Sequence, residues 1–179
     1  MKTILSLAFA AALCAPVSAQ KMGMTNTNAP TVKQTVMAGD AKISLDYTSI
    51  TWASGSTMTA IMDKDKGARA RTRVNNTAPN EPLGTLSTSI DVTCGDLQLG
   101  AGEYKVYFTI GDDLSWNINF ASKDKTHTMK LALAASEHES KRLLLCLYAE
   151  EDGAAGVYVS FGKQSGMLSF KPGAKKEGK

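Results

Sequence analysis

Between Thr85 and Phe120 polar and apolar side chains trade places residue by residue, and that alternation limits what the chain can become more than any other feature. Leu86, Ile90 and Val92 share one parity, while Ser87, Ser89, Asp91 and Thr93 share the other. Tyr104, Val106, Phe108 and Ile110 repeat the pattern, and Leu114, Trp116, Ile118 and Phe120 do so again against Ser115, Asn117 and Asn119. A period of two puts one set on the core face of a strand and the other on its wet face. The stretch predicts three half-buried strands in an antiparallel meander.

The same reading extends outwards. Ile43, Leu45 and Tyr47 alternate with Lys42, Ser44 and Asp46, after which Ile50 and Trp52 continue on the other parity, so a bulge or turn is expected near Thr48 and Ser49. Further strands are expected at Met58–Met62, Met129–Leu133, Val157–Phe161 and Met167–Phe170, the last two joined by a hairpin at Gly162–Gly166. Ser136 and Glu139 have capping-box spacing and predict a helical turn over 136–140. Leu143–Tyr148 is apolar at every position and predicts a central strand covered on both faces. About nine to eleven short strands with no long helix fit an all-β fold: one antiparallel two-sheet sandwich or jelly roll.

The ends point outside the cytoplasm. One lysine at position 2, a small and apolar run from Ile4 to Cys14, and Val17-Ser18-Ala19 form a secretory signal peptide over 1–19, expected to be cut before Gln20. The run is shorter than the roughly 20 residues of a spanning helix, and no other stretch resembles a transmembrane segment. Lipidation at Cys14 is disfavoured because Leu13 stands where a small residue is wanted. Residues 20–30 read as a flexible lead-in, 31–170 as the β-sandwich domain and 171–179 as a disordered basic tail. The whole chain holds 20 basic and 17 acidic side chains. A balance this near neutrality excludes general attraction to nucleic acid or to an anionic membrane surface.

Cys94 and Cys146 remain after the leader is removed. In an oxidising compartment they permit one disulfide, closing a loop of about 50 residues and stabilising by roughly 4 kcal/mol on the chain-entropy model. The alternative is two separately buried thiols acting as small apolar residues.

Catalytic signals are sparse. The two histidines, His127 and His138, lie eleven apart, and no HxH, HExxH or CxxC spacing occurs. No metal or cofactor is expected. The acidic turns Asp112-Asp113 and Glu150-Glu151-Asp152 each offer too few oxygens for calcium. Binding is better served. Arg69, Arg71 and Arg73 alternate within an irregular segment, 63–82, and on extended backbone would project together to grip a carboxylate, sulfate or phosphate. The plainer reading is an edge segment with solvated arginines. Tyr107 and Tyr158 fall on the polar parity of their strands, where exposed rings stack against sugar faces. The ligand-binding candidates are therefore Arg71, Asn75, Tyr107 and Tyr158, with no catalytic residue assigned.

ARTRVNN at 70–76, STSIDVTCGDLQLGAGEYKVYFTI and DDLSWNINF together resemble the secreted family called domain of unknown function 2911. That family carries segments like WRTGANE, LPAGTYSLFTIP and EWTVIFN. Arg71, Thr72 and Asn75 stand at its Arg, Thr and Asn. Ala101, Gly102 and Tyr104 match its Ala-Gly-x-Tyr, and Trp116 matches its strand Trp. Ala70, Arg73, Val74, Asn76 and Gly100 depart from the pattern. The resemblance, over roughly 32–170, implies a signal-led β-sandwich with a strand at Leu143–Tyr148, and carries no activity.

The function expected is a secreted or periplasmic, non-catalytic module for a small anion or glycan. The competing expectations are an enzyme acting on an anionic substrate at Arg71 and Asn75, with Asp63, Asp65 or Glu81 as base, and a structural envelope subunit forming a homo-oligomer through a sheet edge.

Overall fold

The computed structural model describes residues 28–51 and 56–173. The expected signal peptide, most of the expected lead-in, Trp52 and residues 174–179 lie outside the described residues. Among those described, ten strands and two helices follow in the order β1 (Thr31–Ala38), β2 (Ala41–Thr48), α1 (Ser56–Met62), α2 (Ala68–Thr77), β3 (Gly84–Thr88), β4 (Val92–Cys94), β5 (Leu97–Leu99), β6 (Gly102–Ile110), β7 (Trp116–Ala121), β8 (Thr126–Lys130), β9 (Ala134–Ala149) and β10 (Ala155–Pro172). They build two antiparallel sheets, one ordered β1-β2-β3-β6-β7-β8 and the other β5-β4-β10-β9. The architecture is a β-sandwich, as the alternation predicts.

The core lies between the sheets. Tyr104, Val106, Phe108, Ile110, Trp116, Ile118 and Phe120 are all buried, on the parity read from the sequence. Trp116 meets Phe161 with ring centroids 5.1 Å apart, and Phe120 meets Phe170 at 5.8 Å, so aromatic contacts join the two layers. β3 and β4 are not one strand. The chain leaves the six-stranded sheet after Thr88, forms the β4–β5 hairpin in the other sheet, and returns as β6 beside β3. Leu86 and Val92 therefore share a parity but belong to opposite layers.

Six expectations need correction. Met58–Met62 and the arginine segment are helical, not extended. Residues 136–140 belong to β9 rather than to a helical turn. Leu143, Leu145 and Leu147 are buried while Leu144 and Cys146 are exposed, so this strand is covered on one face only. β9 ends its sheet, and among the described residues nothing buries Leu144 or Cys146 on its outer face. β10 runs unbroken through Gly162–Gly166, whose glycine at 162, with φ of 53°, accompanies register shifts instead of a reversal. Cys94 and Cys146 are both free, one buried and one exposed, because β4 points its thiol inward and β9 points its thiol out.

The two sheets are sewn together along one side. Gln34 on β1 donates from Nε2 to Leu145 O at 2.6 Å and accepts from Leu147 N at 2.8 Å. Leu145 N donates to the Tyr47 hydroxyl, Ser49 Oγ donates to Leu143 O, and Leu143 N donates to Ile50 O. An open strand edge would otherwise invite pairing with another chain.

Candidate functional site

The sequence candidates do not converge. Arg71 is 3 % exposed, and its guanidinium points at the end of α1, with Nη1 donating to Ile61 O at 2.9 Å and Asp63 O at 2.8 Å. Ile61 O belongs to the last turn of α1, whose carbonyls lack intrahelical partners, while Asp63 O also accepts from the Gly67 amide at 2.9 Å. Gly67 makes the approach possible: a Cβ there would stand 2.6 Å from Arg71 Nη1 and 2.3 Å from Asp63 O. Asn75, one turn further along α2, donates to Ile110 O at 2.9 Å and accepts from Ile110 N at 2.8 Å. Its amide thus pairs with β6 where β3 has already ended. Arg69 and Arg73 are exposed on the other faces of the helix. Asp63, a candidate base, accepts from the Asp65 and Lys66 amides and holds the turn between the helices.

Tyr107 faces outward from the six-stranded sheet, as its parity predicts, yet is only 5 % exposed. Its cross-strand partner Asn119 is buried too, donating to Tyr107 O and Thr109 Oγ1 and accepting from Thr128 Oγ1. α2 is anchored to this same strand through Asn75. Tyr158 is half-buried on β10, in the other sheet, opposite exposed Cys146. The two tyrosines therefore share no platform.

The open polar surface lies at the other end of that face. Lys33 and Thr35 on β1, Ser44 and Asp46 on β2, Thr85 and Ser87 on β3, and Glu103 and Lys105 on β6 stand side by side by strand register. All of these except Lys105 edge a shallow depression of about 330 Å³. Lys33 Nζ lies 2.8 Å from Asp46 Oδ2, and Thr35 and Ser44 share a 2.8 Å hydroxyl contact. Polar residues at alternate positions of four adjacent strands put hydroxyls on a grid about 4.8 Å apart across the sheet. The parity signal for this face was present in β2 and β3, but tyrosines and arginines drew the reading elsewhere.

The remaining reactive groups are dispersed. Burial pushes the Cys94 thiol up to about 12, so it stays protonated and unreactive at neutral pH. His127 packs edge-on to Tyr104, centroids 6.2 Å apart, and burial, with the Lys125 charge second, lowers its pKa. His138 is exposed on β9. Among the described residues no three His, Cys, Asp or Glu side chains gather as a metal site, and no helix is long and apolar enough to cross a membrane. Compared with models of known families, with curated proteins and with solved structures, the chain matches none.

Proposed function

We propose that this is a secreted or periplasmic, non-catalytic binding module that takes a small neutral glycan on the outer face of β1, β2, β3 and β6. The observation that carries the reading is the open depression edged by Thr35, Ser44, Thr85 and Ser87. Hydroxyl groups both donate and accept, as sugar hydroxyls do, so a grid of them suits a ligand of the same kind. Two carboxylates, Asp46 and Glu103, edge the depression against one ammonium, Lys33. That balance favours a neutral ligand over the small anion that is the other expectation. Arg71, which would orient an anionic substrate in an enzyme, is instead engaged with backbone carbonyls. With no exposed ring in the depression, affinity rests on hydrogen bonds and bridging water and is expected to be modest.

Titrating neutral oligosaccharides into the isotope-labelled protein, followed by amide NMR shifts, tests this. Saturable shifts should centre on Thr35, Ser44 and Ser87. The double variant Ser44→Val, Ser87→Val keeps strand-forming side chains and should weaken binding about tenfold by removing two hydrogen-bonding groups. Shifts that map to another face, or none across a panel of glycans, would sink the reading.

A further inference from the structure

Apart from the glycan face, at the far end of the six-stranded sheet, the side of the sandwich opposite the Gln34 seam opens into a gap of about 380 Å³. That volume is at the low end of small-molecule sites, which run from about 300 to 1,000 Å³. Its walls are Cys94 and Gly95 of the β4–β5 hairpin, Met129 of β8, and Met167 and Leu168 of β10. Its polar rim is Thr93, Ser169 and Lys171.

We propose that this gap binds a small amphipathic carboxylate, an apolar chain bearing one anionic head, with the chain against Met129, Met167 and Leu168 and the head at Lys171. Three observations support it. Met167 is 62 % exposed and lines the depression, so an apolar ligand chain lying there would remove it from water. Methionines are unbranched and polarisable, and so adapt to a flexible chain. Among the described residues the only charged one lining the gap is Lys171, so the site offers a cation and no lining carboxylate to a ligand that needs one anchor. Glu150, outside the lining, accepts a 3.0 Å hydrogen bond from Ser169 Oγ. Gly95 keeps the gap open: its φ is 55°, and a Cβ there would come within 3.2 Å of Met129 Sδ.

Dodecanoate, titrated below its micelle concentration into the purified protein by calorimetry, tests the proposal. Saturable one-to-one binding is expected. Lys171→Glu should weaken it about tenfold at low salt, since charge reversal turns attraction into repulsion and screening is least there. Lys163→Glu, the same charge change elsewhere on β10, should leave affinity unaltered. Met167→Asp alters an exposed residue, so the fold should persist by melting temperature while affinity for the chain falls. The proposal is overturned by absence of saturable binding, by dodecanol or dodecyltrimethylammonium binding as tightly as dodecanoate, or by sedimentation showing that a second copy already occupies the gap. A glycan titration that fails leaves these outcomes untouched, because the two sites share no residue.

Discussion

The two long sides of the sandwich are finished in opposite ways. Where β1 meets β9, side chains from one sheet satisfy main-chain groups of the other, so that Leu143, Leu145 and Leu147 present no free N–H towards a neighbour. Where β8 approaches β5 and β10, the sheets part and methionines line the opening. The difference teaches that closure here depends on hydrogen bonds aimed across the layers and not on apolar burial alone: the sewn side is polar and tight, the loose side is apolar and open.

The largest expected effect breaks the sewn side. Gln34→Ala strips partners from Leu145 O and Leu147 N at once and should cost about 1–3 kcal/mol, the penalty for leaving such groups unsatisfied. Urea unfolding would read it as a lower midpoint at constant slope. An unchanged midpoint would mean that water replaces the amide and that the seam is ornamental.

Truncating the loose side should matter less. Met129→Ala removes a half-buried side chain beside existing space, so about 1 kcal/mol is expected, against about 2–5 kcal/mol for a fully buried methionine. If it cost as much as Gln34→Ala, the contrast between the sides would dissolve.

The smallest effect concerns the ion pair that steadies β8. Hydrogen bonds from Ser115 Oγ and the Ser115 amide, then from Lys130, hold the Asp113 carboxyl at about 2, below its ordinary 3.8. A depressed pKa contributes stability above the ordinary value, and that contribution fades as pH falls from about 4 towards 2. Asp113→Asn should therefore lower the melting temperature slightly at pH 6 and by much less near pH 2. Equal differences at both pH values would remove the ionic explanation.

The layers were legible because burial follows period two wherever one face meets the core, as it does from Tyr104 to Phe120. The helices were missed because Arg69, Arg71 and Arg73 draw the eye to alternation. The residues that α2 turns towards its neighbours are Arg71, Val74, Asn75 and Ala78, spaced i, i+3, i+4 and i+7, which is the helical signature. Leu144 and Cys146 misled in the other direction. Apolar side chains on both parities predicted two covered faces, but a strand that ends its sheet can carry apolar residues outward. Tyr107 had its face read correctly and its exposure wrong, since the parity of a strand tells which way a side chain points and not what covers it. The depression at Ser44 and Ser87 depends on β1, β2, β3 and β6 standing in register, a property of pairing across 70 residues of chain rather than of any one segment.

The Gln34 seam also sets a timetable. Its contacts join residues 111 and 113 positions apart, so a chain emerging from its amino terminus must hold β1 ready until almost the whole domain has followed. Long separations slow assembly because the intervening polymer must be ordered first. Until that last stitch is made the rim of β9 stands unguarded, and crowding would make that interval the moment at which molecules adhere to one another.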